Sequence, residues 1–217
     1  MKTLTKQTPT VFIPYQNDSL LIRVADKTEF DDVYRLAHDC YVAKGYALPR
    51  PNYLLIHYPH FDYLEETTIW IAIFKNEIVG SISVTRDSKY GFTIDEDFKA
   101  ECDLVRAEGR KAGAAWRLVV KPACRDGGTI VKSLIETAIG AFLSQGGDTF
   151  LLEVNPAHER VYERMLNMKV LSRQRSAAGL KEAPAILMCG MFETMPPRWK
   201  AKFRYMSRLK QSFKMAS

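Results

Sequence analysis

The chain of 217 residues holds only four cysteines, Cys40, Cys102, Cys124 and Cys189, and no two stand in a CxxC pair. Neither a disulfide framework nor a paired-cysteine zinc site is indicated, and the four read as reduced, buried, small apolar groups. No stretch approaches the ~20 apolar residues of a membrane span. The first residues, MKTLTKQTPTVF, lack an apolar signal core and a small-residue cleavage site, which points to a cytoplasmic protein. Internal repeats and low-complexity segments are also lacking. His57, His60 and Asp62 fall close together in HYPHFD, but no helix or hairpin pattern frames them as ligands, so aromatic loop packing is expected there and no metal.

Acidic residues are missing from one region in particular. Thr194 to Ser217 contains Arg198, Lys200, Lys202, Arg204, Arg208, Lys210 and Lys214 and no carboxylate. Those seven positive charges exceed the net +6 of the whole chain, which leaves the remainder near −1. Trp199, Phe203, Met206, Leu209 and Phe213 recur there at three- and four-residue intervals. A basic amphipathic C-terminal helix is expected, suited either to docking on the domain or to peripheral contact with an anionic membrane through 198–214, at its cytoplasmic face. Bulky apolar residues at helical spacing suit a bilayer interface better than nucleic acid, and no nucleic-acid partner is expected.

What is present is 47% apolar residues, enough for a full core in a single domain. The stretch from Leu118 to Tyr162 organises it. Leu118-Val119-Val120 reads as a buried strand ended by Pro122. Gly127-Gly128 opens a helix with Val131, Leu134, Ile135, Ala138 and Phe142 on one face, and Gly146-Gly147 stops it. Phe150 to Val154 is the next strand, and Asn155-Pro156 starts another helix carrying Val161, Met165 and Leu166. Such a unit implies parallel or near-parallel strands crossed by a helix.

Upstream, residues 1–19 look irregular and Leu20 to Val24 reads as the first strand. Asp26 with Glu29 signals a helix start, continued by Phe30, Val33, Tyr34, Ala37 and Tyr41 to about Lys44. Gly45 to Glu66 is a proline- and aromatic-rich loop, too long for a simple connection and so expected to face substrate. Thr68 to Phe74 and Ile78 to Thr85 form a hairpin. A polar helix follows over Asp95 to Ala107. Met168 to Ser172 and Ala185 to Phe192 supply two late strands, and Met195-Pro196-Pro197 precedes the final helix. The predicted organisation is an irregular segment 1–19, a domain over 20–193 and the basic helix over 194–217.

Two details of the central unit carry chemistry. Arg125-Asp126-Gly127-Gly128 sits at a strand-to-helix turn, where free backbone N–H groups can receive a phosphate. Asn155 and Tyr162 stand seven residues apart, at a strand end and in the following helix. Both features resemble the Gcn5-related N-acetyltransferase (GNAT) fold, an α/β (α+β) architecture with a mixed central sheet flanked by helices. A narrower resemblance covers Gly45 to Phe192. Gly80, Asp87, Ser88, Gly91, Asp95, Phe98, Glu101, Arg106, Gly109 and Arg110 follow one family run, Asn155, Pro156, His158 and Tyr162 match NPxHxxxY, and APA recurs at Ala183 to Ala185. These resemble the N-acyl amino acid synthase family (FeeM-like), related to acyl-homoserine lactone, or autoinducer, synthases.

The resemblance implies transfer of a fatty acyl group from an acyl carrier protein thioester to the amine of an amino acid or related small molecule. The co-substrate is an acyl-phosphopantetheine thioester, acyl-ACP or alternatively acyl-CoA, with no permanently bound cofactor. It implies donor contacts from Val119, Val120, Arg125, Gly127, Gly128 and Asn155, and Tyr162 protonating the departing thiolate. Arg117 would meet an acceptor carboxylate, and Glu101 and Arg106 would wall the acceptor site. The family's glutamate three residues before the matched arginine is replaced by Ala114, leaving Glu153 and His158 as candidate bases. Each assignment has a plainer counterpart: Tyr162 as core with a polar tip, Asn155 as a helix cap, Arg117 as a structural ion pair. Two other readings stand beside acyl-carrier-dependent transfer: a CoA-dependent acetyltransferase, and a non-catalytic acyl- or carrier-binding protein.

Overall fold

The computed structural model describes residues 10–16, 18–124, 126–176, 183–201 and 203. Eight strands form one mixed sheet: β1 (Val11–Tyr15), β2 (Asp18–Val24), β3 (Thr67–Phe74), β4 (Glu77–Arg86), β5 (Ala112–Val120), β6 (Thr149–Val154), β7 (Lys169–Ser176) and β8 (Pro184–Met191). Their order is β1-β2-β3-β4-β5-β6-β8-β7, antiparallel everywhere except between β5 and β6. The helices are α1 (Phe30–Ala43), a single turn α2 (Pro59–Asp62), α3 (Asp95–Ala107), α4 (Gly127–Ser144) and α5 (Glu159–Leu166). The mixed sheet flanked by helices is the architecture expected.

Alternation along the strands sends side chains to two layers. Trp70 and Ala72 of β3 join Ile130, Leu134 and Phe142 of α4 in the larger core, while Ile69 and Ile71 meet Phe30, Val33 and Tyr34 of α1. Under α3, Phe98, Cys102 and Val105 pack on Ala112, Ala114 and Leu151. The capping box of Asp26 and Glu29 opens a short 3-10 turn that leads into α1. The hairpin β3–β4 turns on Lys75 and Asn76, both left-handed, at φ 50 and 62.

One expectation is corrected, and part of the tail takes one of the two alternatives expected for it. The segment 1–19 contains β1, which pairs with β2 across the left-handed Gln16. Pro14 obscures this strand in the sequence and is tolerated because β1 is at the sheet edge. In the tail, residues 197–201 and 203 are helical, but Trp199 and Phe203 are 4% and 2% exposed, their rings 5.5 Å apart within the larger core. These two residues dock on the domain, because covering apolar core is favourable and needs no bilayer. Met206, Leu209 and Phe213 lie outside the described residues.

The feature that makes a site is the way β5 and β6 part. They pair only from Ala112 with Thr149 to Ala115 with Leu152. Beyond that β5 follows β4, with Val119 opposite Ser81 and Val120 opposite Gly80, while β6 follows β8 out to Val154 opposite Ile186. A notch opens between the carboxyl ends of two parallel strands. A bulge accompanies it: two residues of β5, Arg117 and Leu118, stand against the single Ile82 of β4, and Arg117 adopts φ 52. The bulge shifts the alternation, so Trp116 and Arg117 both reach the α1 side and Leu118 turns to the α4 core.

Candidate active site

Arg117 is the most unusual group at the notch. Its side chain is 2% exposed and that of Asp62, on α2, is 0% exposed. Nη2 of Arg117 donates to both carboxylate oxygens of Asp62 at 2.9 Å. Tyr34 OH donates to Asp62 Oδ2 at 2.8 Å, and the guanidinium lies over the rings of Trp116 and Tyr34, 4.3 and 5.1 Å from their centroids. Nε and Nη1 of Arg117, equally enclosed, have no hydrogen-bond partner. A buried ion pair with free N–H groups has capacity for a further acceptor of hydrogen bonds, a carboxylate above all. Asp62, close to His57 and His60 in the sequence, is the counter-ion of Arg117; among the described residues no cluster of three or more His, Cys, Asp or Glu is placed to hold a metal.

Glu153 lies on the other flank. Its β6 neighbour Leu151 is opposite Ala114, and both are in the core under α3, so Glu153, two residues on, faces the same side. Burial first, then the carboxylates of Asp97 and Glu96 at the start of α3, push its pKa up to about 7. The phenol of Tyr58, whose ring meets Trp116 edge-on at 5.5 Å, is pushed up by burial and then by Glu153 and Glu96. Ala114 itself is 0% exposed, closed beneath α3. The carboxylate available on this face is therefore on the neighbouring strand, diagonal to Ala114.

Asn155 does two things at once. Its Oδ1 accepts from Ala157 N at 2.9 Å, capping the turn that leads into α5, and its Nδ2 donates to Tyr46 OH at 3.1 Å. Tyr162, half-buried on α5, packs against the α4 core, and burial pushes its phenol up to about 12. It is therefore neutral at physiological pH. His158 is exposed, and desolvation followed by the Lys44 charge holds its pKa below the ordinary imidazole value. Val119 packs against Leu36 and Cys40 of α1, and Cys40 Sγ donates to Val120 O at 3.4 Å, so α1 buttresses the strand edge that β6 abandons.

The remaining candidates divide. Gly127 and Gly128 open α4 directly after β5, behind the N-cap Asp126; Arg125 lies outside the described residues. Asp87, Asp95 and Asp103 engage the Arg106 guanidinium from all sides. It fastens α3 to the preceding loop. Gly91 is required there: at φ 71, a Cβ would lie 2.3 Å from Asp95 Oδ2. Glu101 is half-buried on α3 with one carboxylate oxygen enclosed. In the 45–66 loop, Leu55 and Phe61 are buried while Tyr53 and Tyr63 are 60% exposed. A shallow depression lined by Trp70, Val84, Ala138 and Phe142 lies on the opposite face, away from these groups. The sequence carried no sign of Tyr46 as partner of Asn155, or of Glu96 and Asp97 acting on Glu153.

A mixed sheet opened between two parallel strands, with a helix starting at the end of the first and a tuned carboxylate on the second, defines an acyltransferase of the GNAT fold. Solved structures share the fold. FeeM, an N-acyl amino acid synthase from uncultured soil microbes, matches with a TM-score of 0.71 at 20% identity, over 84% of this chain and 94% of that one. BjaI, a CoA-dependent acyl-homoserine lactone synthase, matches with a TM-score of 0.60 at 15% identity, over 83% and 82%. A GNAT-family acetyltransferase from Streptococcus pneumoniae matches with a TM-score of 0.55 at 16% identity, over 79% and 98%. No curated protein matches by sequence. The family model described as N-acyl amino acid synthase FeeM matches residues 32–190. The chain belongs to that family of acyltransferases.

Proposed function

We propose that the protein transfers a long-chain acyl group from an acyl carrier protein thioester to the amine of a small acceptor bearing a carboxylate, an amino acid or a close relative. The observation that carries this reading is the pairing, on one face of the sheet, of Glu153 held at about 7 with the free N–H groups of buried Arg117. Arg117 takes the acceptor carboxylate, reached when the aromatic rings about it give way, and Glu153 takes the proton of the attacking amine. A base with a pKa near the working pH combines an ionised fraction with enough basicity to move a proton. The amine nitrogen bonds to the thioester carbon, backbone N–H groups of Val119 and Val120 stabilise the oxyanion, and the C–S bond breaks. Tyr162 hydrogen-bonds to the sulfur and protonates it as the C–S bond breaks. Because an ordinary thiol pKa of about 8.5 lies below that of the phenol, the transfer is uphill and is completed by reprotonation of the phenolate from solvent. Asn155 orients the pantetheine arm, and Gly127 and Gly128 leave room for its phosphate.

Among the described residues no helix is long and apolar enough to cross a membrane. The basic residues beyond Phe203 would hold the enzyme at an anionic surface, where an amphiphilic product belongs. Mass spectrometry of lipid extracts from expressing cells, with purified protein supplied with acyl-ACP and amino acids, tests the reaction. New N-acyl amino acids are expected. Carrier-protein binding without any new lipid would make this a binding member of the fold, and saturable activity with acetyl-CoA alone would make it an acetyltransferase.

A further inference from the structure

The start of α4 carries a charge that the proposed chemistry does not use. α4 begins beside the end of β5, where a Cβ on Gly127 would meet Val120, so its first-turn N–H groups and positive dipole end lie next to one edge of the notch. Two observations mark this turn as built to receive something. Packing does not require either glycine: a Cβ on Gly127 would meet only Val120 Cγ1 at 3.6 Å, and one on Gly128 only Asp126 Oδ1 at 3.8 Å, both ordinary contacts. What the glycines preserve is open approach to the backbone. Beside the turn, Tyr15 is 3% exposed, and its hydroxyl, near Gln16, Cys124 and Asp126, closes no hydrogen bond.

An anion is already present there, attached to the chain. Asp126 is the N-cap: Oδ1 accepts from Thr129 N at 3.3 Å, and Oδ2 accepts from Thr129 OH at 2.5 Å. The carboxylate satisfies the helix start and cancels part of its positive field. We infer that Asp126 is a specificity-determining residue, which admits a donor with a single phosphodiester and disfavours one carrying a nucleotide diphosphate. The inference rests on the reading of a pantetheine thioester as donor. A carrier-bound pantetheine brings one negative charge to this turn, whereas CoA brings a diphosphate and a further phosphate. At ~5 Å in the mixed dielectric of an exposed turn, each added charge weakens binding roughly fivefold. Asp126 thus acts more strongly against CoA than against a carrier-bound arm, and the discrimination needs no contact with the acyl chain.

The test separates charge from capping. Asp126→Asn keeps an oxygen able to cap Thr129 N and removes the charge; Asp126→Ser does the same with a hydroxyl. Calorimetric titration of the purified full chain with CoA, at low salt and at 0.15 M, reads the effect without turnover. Both variants are expected to bind CoA about 25-fold more tightly than the parent, roughly fivefold for each of the two diphosphate charges, with the gap shrinking in salt. With matched acyl chains, kcat/KM for acyl-CoA should rise relative to acyl-ACP by about fivefold, because the single phosphodiester is relieved of one repulsion and the diphosphate of two. CoA affinity equal to the parent's in both variants, or undetectable in all three proteins, overturns the inference. A protein that transfers no acyl group yet gains CoA affinity on Asp126→Asn retains this role for Asp126 and refutes the proposed reaction instead.

Discussion

Replacing Glu153 by Gln sets stability and catalysis against each other. The folded protein holds this carboxyl at about 7 against an ordinary 4.5, chiefly because burial penalises its charge. Below 4.5 both folded and unfolded forms are protonated and the group is neutral in its effect. Between 4.5 and 7 the folded form keeps a proton that the unfolded chain has released, so stability falls as pH rises. Above 7 the full cost is present, roughly 3 kcal/mol at about 1.4 kcal/mol per pH unit. Glu153→Gln removes a charge of similar shape, so urea unfolding at pH 8 should show the variant more stable by about 2–3 kcal/mol, with the advantage gone near pH 4.5. Activity should move the other way. Parental kcat/KM should climb about tenfold per pH unit below 7 and level off above it, while the variant loses roughly 100- to 1000-fold and that rising limb. Equal stability at pH 8 would refute the buried-charge account. Undiminished turnover would remove Glu153 from the chemistry.

Tyr162→Phe should lower kcat about 10- to 100-fold and leave the KM for donor nearly unchanged, read from steady-state kinetics with acyl-ACP. Asp62→Asn takes the counter-charge from a buried guanidinium and should cost about 3 kcal/mol in urea unfolding. Arg117→Lys should raise KM for an amino acid more than for the matching amine lacking its carboxylate, because an ammonium cannot present two parallel N–H groups. For the tail, the informative comparison is the full chain against one ending at Phe203, which keeps Trp199 and Phe203 in the core. The shorter form should pellet less with anionic vesicles, and equal pelleting would remove the membrane role.

Local chemistry was legible where it acts locally. The polar helix over Asp95 to Ala107, the Asp26–Glu29 capping box and the β3–β4 hairpin lie where short-range pattern placed them, because interactions within a few residues decide them. Asn155 as a cap was legible for the same reason. Pairings over long separations were not: Asn155 with Tyr46 is a contact across 109 positions, and Arg117 with Asp62 across 55. Nothing in AAWRLVV announces that Arg117 turns left-handed, since arginine has no preference for φ 52 and the surrounding sheet imposes it. The ion pairs of Arg106 were hidden for a related reason. Its three aspartates come from different parts of one loop and helix, and only their convergence shows the guanidinium engaged from all sides.

The strand order has a consequence for how the enzyme is made. β8 lies between β6 and β7, so β6 gains its outer neighbour only when residues 184–191 exist. During synthesis the antiparallel run β1 to β4, whose neighbours follow one another in the chain, can assemble early. The strand bearing Glu153 must wait, and β7 stays unpaired until the same moment. A ribosome stalled after β7 would release a chain with Arg117 and the start of α4 already encoded, two open strand edges and no completed notch. Such fragments would be inert as catalysts and prone to stick to one another, so quality control and activity are linked through the last strand to emerge.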